Sequence, residues 1–290
     1  MKHAVSLIWR SLVVGAGYAG TLALTNALLG RGADTRSLIW LFVGGTAIGL
    51  ALGPLAASMP AAWKRHMLVW GSIIFLNIAS LTIEGRLFAP GHVQGSIGVM
   101  LLQQLVLSLV TAFLIVRLFG AVTEAAPIPA VVRPWFSWTW RFLAAALAYI
   151  FVYYLFGAIS YLLVTGSYYK AHAGGLVTPA PGVILQAELM RAPLIVLSII
   201  PFLLTFRAPR KRILVLTGVI LFAVGGVAPL LMDIGVLPPV VLAASTVEIF
   251  CQNFTAGLVA ARLLGRQAPV GERLWAARPS APWHERSMEG

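Results

Sequence analysis

Charge is what this chain has least of. Only 10% of its 290 residues are Asp, Glu, Lys or Arg, and only nine are acidic, whereas about a quarter of a soluble domain is charged. That excludes an ordinary water-soluble globule. Cysteine is nearly absent too. The single Cys251 excludes an intrachain disulfide and a zinc site built on thiolates. No Ser-His-Asp arrangement, glycine-rich phosphate loop or intramembrane histidine pair is visible. His92 and His172 lie in connections and lack the further ligands that a metal site needs, so neither metal nor cofactor is expected. The net charge of +12 comes from basic residues scattered at the ends of apolar runs. They form no stripe with interleaved aromatics, so no nucleic-acid partner is expected.

Hydrophobic residues are abundant, at 59% of the chain. Several apolar runs reach about 20 residues, enough to cross roughly 30 Å of hydrocarbon at 1.5 Å per residue. The pattern predicts an all-α polytopic membrane protein in contact with the lipid bilayer. Eight spans are expected near 10–29, 37–58, 66–84, 97–119, 141–164, 183–206, 212–232 and 239–264. Pro193 and Pro201 should kink the sixth. The basic, apolar start is similar to a signal peptide, but its apolar stretch is too long and lacks a small-x-small cleavage site. An uncleaved first span is expected.

Lys and Arg fix the orientation. With the N-terminus inside, sixteen of the 21 basic residues fall in inner segments, so both termini are expected to be cytoplasmic. The proline-rich link at 121–137 divides the chain into halves, 1–120 and 138–265, followed by a cytoplasmic tail at 266–290.

The halves echo each other. Trp9-Arg10 and Tyr18 match Trp140-Arg141 and Tyr149. Lys64-Arg65, Gly71 and Phe75 match Lys211-Arg212, Gly218 and Phe222. Arg117 with Gly120 matches Arg262 with Gly265. Four spans per half predicts two parallel repeats. The glycines of Gly45-x-x-x-Gly49-x-x-x-Gly53, with Gly15, Gly17 and Gly20, read as close helix contacts.

The stretch Ser245–Gly257 places Glu248, Gln252 and Asn253 in the last apolar run. A carboxylate near the bilayer centre costs about 2.5–3.5 kcal/mol, so it requires compensation. At 100° per residue Ser245, Glu248, Cys251, Gln252 and Thr255 share one face. Span three aligns Asn77, Ser80 and Glu84, and span four aligns Gln104, Ser108 and Thr111. Glu248 aligns with Gln103 or Gln104 in the other half. By depth, Glu84, Gln104, Gln186, Glu188, Arg191 and Glu248 all belong to the outer half of the membrane. A polar cavity or network between helices is expected there, because such groups cannot face lipid. Glu188 and Arg191, three apart, can pair along one helix. Glu248 has no local cation, and Arg191 is its expected partner. The tyrosines of span five read as packing aromatics. The connection Thr165–Pro181, with Tyr168 and Tyr169, reads as a loop or a lid.

On these residues the second half resembles a family of bacterial multi-spanning membrane proteins of unknown activity. The elements are Phe156-Gly157, Tyr168-Tyr169, Leu185-Gln186 followed by Arg191, and Glu248 followed by Asn253-Phe254 and Gly257. In the first half, Ile83-Glu84-Gly85 and Phe88 are also similar. The resemblance implies a bacterial inner-membrane protein and supplies no mechanism. Three functions are compatible with the sequence. One is binding or transport of a small or lipid-like ligand through the outer polar cavity. The others are a membrane-embedded lipid- or isoprenoid-modifying enzyme using Glu84 or Glu248, and a structural or assembly protein.

Overall fold

The structure, a computed structural model, describes residues 2–32, 35–88, 95–123 and 133–265. The link 124–132, His92 and the tail 266–290 lie outside the described residues. Eight long helices carry the chain: α1 (Lys2–Leu28), α2 (Thr35–Ala57), α3 (Trp63–Phe88) and α4 (Ile97–Phe119), then α5 (Trp135–Lys170), α6 (Pro181–Thr205), α7 (Arg210–Met232) and α8 (Pro239–Leu264). All eight are long and apolar enough to cross a membrane, and this is an all-α polytopic membrane protein. An even number of crossings leaves Lys2 and Leu264 on the same side.

Its apolar residues point both ways, as lipid solvation requires. Phe151, Leu162 and Leu163 on α5 face outward, the last two 79% and 77% exposed. Trp70, Ile73, Ile199 and Phe202 fill the interior with no exposure above 1%. Helix association cannot rely on burying apolar surface away from water, so close backbone approach takes over. Gly45 backs onto Tyr18 and Gly15 in the α1–α2 crossing, and Gly218 backs directly onto Gly257 in the α7–α8 crossing.

The two halves use one plan. In each, the first helix packs on the second and fourth, and the third packs on the fourth. Between halves, α3 packs on α6 and α2 packs on α7. Those two contacts exchange under a two-fold axis along the bundle, the arrangement of parallel repeats. Contacts agree in detail. Gly71 meets Ala112 five residues before Arg117, and Gly218 meets Gly257 five residues before Arg262.

Two departures from regular helix occur, both in the second half. One-turn π segments interrupt α5 at Tyr161–Thr165 and α7 at Ala223–Val227. A π turn accommodates one extra residue within a continuous helix. Span length predicts that α5 ends near 164. Instead the π turn carries it on to Lys170, because nothing stops a helix at the membrane surface when its backbone bonds continue into water. Tyr168 and Tyr169 therefore sit on a helix, and the connection to α6 starts later than expected. Within that connection His172 adopts a positive φ of 51°, and its Nδ1 lies 3.2 Å from the Leu176 carbonyl. Leu176 is buried, and Val177 donates to the Phe88 carbonyl at 2.9 Å, so the connection is tied to the end of α3. Pro201 in α6 cannot donate, and nearby the Ser72 hydroxyl donates to the Ser198 carbonyl at 3.2 Å, bracing that turn from α3.

Candidate functional site

The Phe88 end of α3, the Lys170 end of α5 and the Pro181 and Pro239 ends of α6 and α8 bring the charged side chains together. At 1.5 Å per residue, Glu84 lies roughly 6 Å from that end of its helix, Glu188 roughly 10 Å, Glu248 roughly 14 Å and Arg191 roughly 15 Å. Arg191 is the hub. Its Nη2 meets Glu84 at 2.5 Å, its Nη1 bonds Glu188 one turn earlier on α6, and its Nε donates to the carbonyl and the hydroxyl of Ser80, each at 3.2 Å. Its guanidinium also lies 5.3 Å from the centre of the Tyr153 ring, a cation–π contact. The Tyr153 hydroxyl donates to Glu84 Oε1 at 3.3 Å, and Tyr149 stacks beside Tyr153. The α3 stripe of Asn77, Ser80 and Glu84 is thus the face that meets α6.

These groups differ in access. The side chains of Arg191 and Glu188 are 3% and 1% exposed, and that of Glu84 is 27% exposed. Glu188 Oε2 is buried and has no hydrogen-bond partner.

Glu248 forms a second centre beside the first. It is half-buried, and its Oε1 accepts from Gln252 Nε2 at 2.9 Å. That amide also reaches the Tyr153 carbonyl at 3.4 Å. Ser160 lies nearby with its buried hydroxyl unpartnered, and Glu84 is close enough to act on the carboxylate electrostatically. Gly157 on α5 faces Glu248 Oε1. Tyr169 lies in the field of both Glu84 and Glu248, with its ring against Phe88 and Tyr161 at centroid separations of 6.2 and 5.9 Å.

The expected pairing of Arg191 with Glu248 is not what the structure contains. All three guanidinium nitrogens are committed to Glu84, Glu188 and Ser80, and among the described residues Glu248 forms no ion pair. Gln186 is exposed on α6, outside the network, because it precedes Glu188 by two residues and so turns away. Gln104 is half-buried, and its Oε1 is buried without a partner. Gln103 is the residue that occupies Glu248's position in the first half. Each stands 14 residues before the matched arginine, Arg117 or Arg262.

Asn77 and Asn253 join a separate, deeper group. Asn77 donates to the Ile73 carbonyl at 2.7 Å and to Ser198 at 3.0 Å. Asn253 donates to the Leu221 carbonyl at 3.1 Å. Both asparagines close on Gly225 in the π turn of α7, where the irregular backbone is braced by side-chain amides.

The repeat supplies an uncharged counterpart for comparison. Gln103 donates to Thr25 and Asn26 of α1, both at 2.8 Å. In the second half Phe156 and Gly157 replace Thr25 and Asn26, and Glu248 replaces Gln103. Arg191 stands ten residues before Pro201, and Gly44 ten before Pro54. Where Arg191 meets Ser80 and Glu84, Gly44 packs on Ala228 and Met232. These partners lie one residue further along than the spacing of Gly71 and Gly218 requires, which is the displacement that an added residue in the α7 π turn produces. The charged network thus belongs to the second half's plan, completed by Glu84 and Ser80 across the axis.

An apolar groove of about 740 Å³ opens elsewhere, between α7, α8 and the turn joining them. Leu242 and Thr246 line it, roughly 120–160° around α8 from Glu248. Among the described residues no group of His, Cys, Asp and Glu is arranged to hold a metal ion. Comparison with protein-family models, with curated proteins and with solved structures finds no match for this chain. Fold and site together define a multi-pass helical membrane protein with a charged network in one half of its bundle.

Proposed function

We propose that this protein binds a small or lipid-like ligand from the outer side of a membrane, through Glu84 and Glu248, and transports it. One observation carries the reading: two carboxylates from two helices, Glu84 and Glu188, meet a single guanidinium, a third, Glu248 on α8, stands in the field of Glu84 without a cation, and Glu84 and Glu248 are incompletely covered. Ionisable groups in a membrane mark substrate or ion pathways more often than they serve packing. Each guanidinium nitrogen of Arg191 already has a partner, so its role is to hold Glu84 and Glu188 in place rather than to receive the ligand. The charge bias and the expected resemblance support a reading in which the protein lies in a bacterial cytoplasmic membrane with both termini inside.

A fastening role for the same network is the second reading, favoured by the direct bonds from Arg191 on α6 to Glu84 and Ser80 on α3. Thermal stability of the purified chain, scanned against a panel of cationic, neutral and anionic small molecules, separates the two. Ligand binding predicts stabilisation by some compounds, lost in Glu248→Gln, while the unliganded variant melts close to the parent. If no compound stabilises the parent, or if Glu248→Gln leaves every shift intact, the ligand-binding reading fails. Uptake of the stabilising compound into proteoliposomes then tests transport.

A further inference from the structure

The network already shows which chemistry it holds. Arg191 is a cation in a cage of two carboxylates, Glu84 and Glu188, and one tyrosine face, Tyr153. The same kinds of group recur around Glu248, at a similar depth. Glu84 again lies within electrostatic reach, as does Tyr169, whose ring packs against those of Tyr161 and Phe88. This second cage contains no cation among the described residues. In the first half the matching position is closed: Gln103 is satisfied by Thr25 and Asn26. In the second half both acceptors are gone, replaced by Phe156 and Gly157, and the carboxamide has become a carboxylate. Among the described residues its hydrogen-bond donor is the Gln252 amide. A second buried acceptor, Glu188 Oε2, has no partner and adds to the unmet negative character of the cluster. Carboxylates combined with aromatic faces are the groups that recognise ammonium ions, and removing water from such a site strengthens the attraction.

We infer that Glu248 and Glu84 bind the cationic head of an organic ammonium ligand, with Tyr161 and Tyr169 covering it. This rests on the ligand-binding reading above and specifies its substrate class. Anions are disfavoured because the guanidinium in reach is neutralised by Glu84 and Glu188.

The test is equilibrium binding of radiolabelled phenyltrimethylammonium to the full-length protein in lipid nanodiscs. Unlabelled compound, benzyl alcohol and benzenesulfonate serve as cationic, neutral and anionic competitors. Saturable binding displaced only by the cation is expected. It should weaken about tenfold in Glu248→Gln, retain its selectivity in Glu248→Asp, and weaken several-fold in Tyr169→Leu. Thermal melting of each unliganded variant shows that it is folded. Equal displacement by the neutral or anionic competitor overturns the ammonium class. If that binding still depends on Glu248, the ligand-binding reading survives. Absence of saturable binding overturns the class as well, and the broader panel then decides the reading. Cation selectivity unchanged in Glu248→Gln overturns the residue assignment.

Discussion

At the scale of single residues, the decisive fact is the unequal burial of Arg191's two carboxylate partners. Glu188 is sealed and receives one donor, whereas Glu84 is partly open and receives two, from Arg191 and Tyr153. Removing the guanidinium strands a buried acid. Arg191→Ala should therefore cost about 3–5 kcal/mol of stability, read as a large loss of folded protein in thermal or denaturant melts. Combining it with Glu188→Gln should recover part of that loss, because the charge left behind is removed. Replacing Arg191 by Lys should rescue poorly, since an ammonium cannot serve three separated partners with a planar fork. Part of this was legible in the sequence. Spacing on α3 put Asn77, Ser80 and Glu84 on one face, and the i, i+3 spacing of Glu188 and Arg191 allowed their pairing. The choice of Glu84 over Glu248 as Arg191's other partner was not legible. It depends on how α6 is rotated against α3 and α8, and no single-helix pattern encodes that rotation. Tyr153 was passed over as packing for the same reason, since its hydroxyl gains meaning only from Glu84 on another helix.

At the scale of elements, the π turns decide which side chains can meet. Gly225 has no side chain where Asn77 and Asn253 approach the π turn of α7. A larger residue there must push one amide away. Gly225→Val should destabilise by about 1–3 kcal/mol, and polar-core disruption should make it worse than the equivalent change at Gly20, which has open space around its Cα. Parallel melting curves of the two variants check this. Helix existence was readable from apolar run length, because the bilayer sets that length. The extension of α5 to Lys170 was not, because length carries no information about backbone beyond the lipid. Nor was either π turn, since an inserted residue leaves the apolar pattern unbroken.

For the whole molecule, topology is directly testable because Cys251 is the only cysteine. In a Cys251→Ala background, single cysteines at Ala171 and at Ala208 should respond oppositely to a membrane-impermeant maleimide. Intact cells should label at Ala171 only, and inverted vesicles at Ala208 only. Labelling of both from one side would contradict eight crossings. The duplicated plan was visible as three short matches with constant spacing. What those matches left open was the register of Glu248, which the crossing of Gln103 with Asn26 settles in favour of Gln103 over Gln104. The charge asymmetry between halves was visible only as glutamates without counterparts. Its spatial meaning required the two-fold axis that sets Gly44 and Met232 opposite Arg191 and Glu84.

The π turn of α7 also makes divergence of the two halves difficult to undo. Point substitutions can exchange Arg191 for glycine or Glu84 for methionine, but they cannot remove a residue from the chain. With the added residue in place, each position beyond Val227 is numbered one further along than its first-half match, and the π turn absorbs the difference so that Met232 still faces Gly44. Return to a symmetric arrangement would need a deletion inside a membrane helix together with loss of the π turn. The insertion therefore acts as a ratchet, holding the halves apart even where selection on the charged network is relaxed.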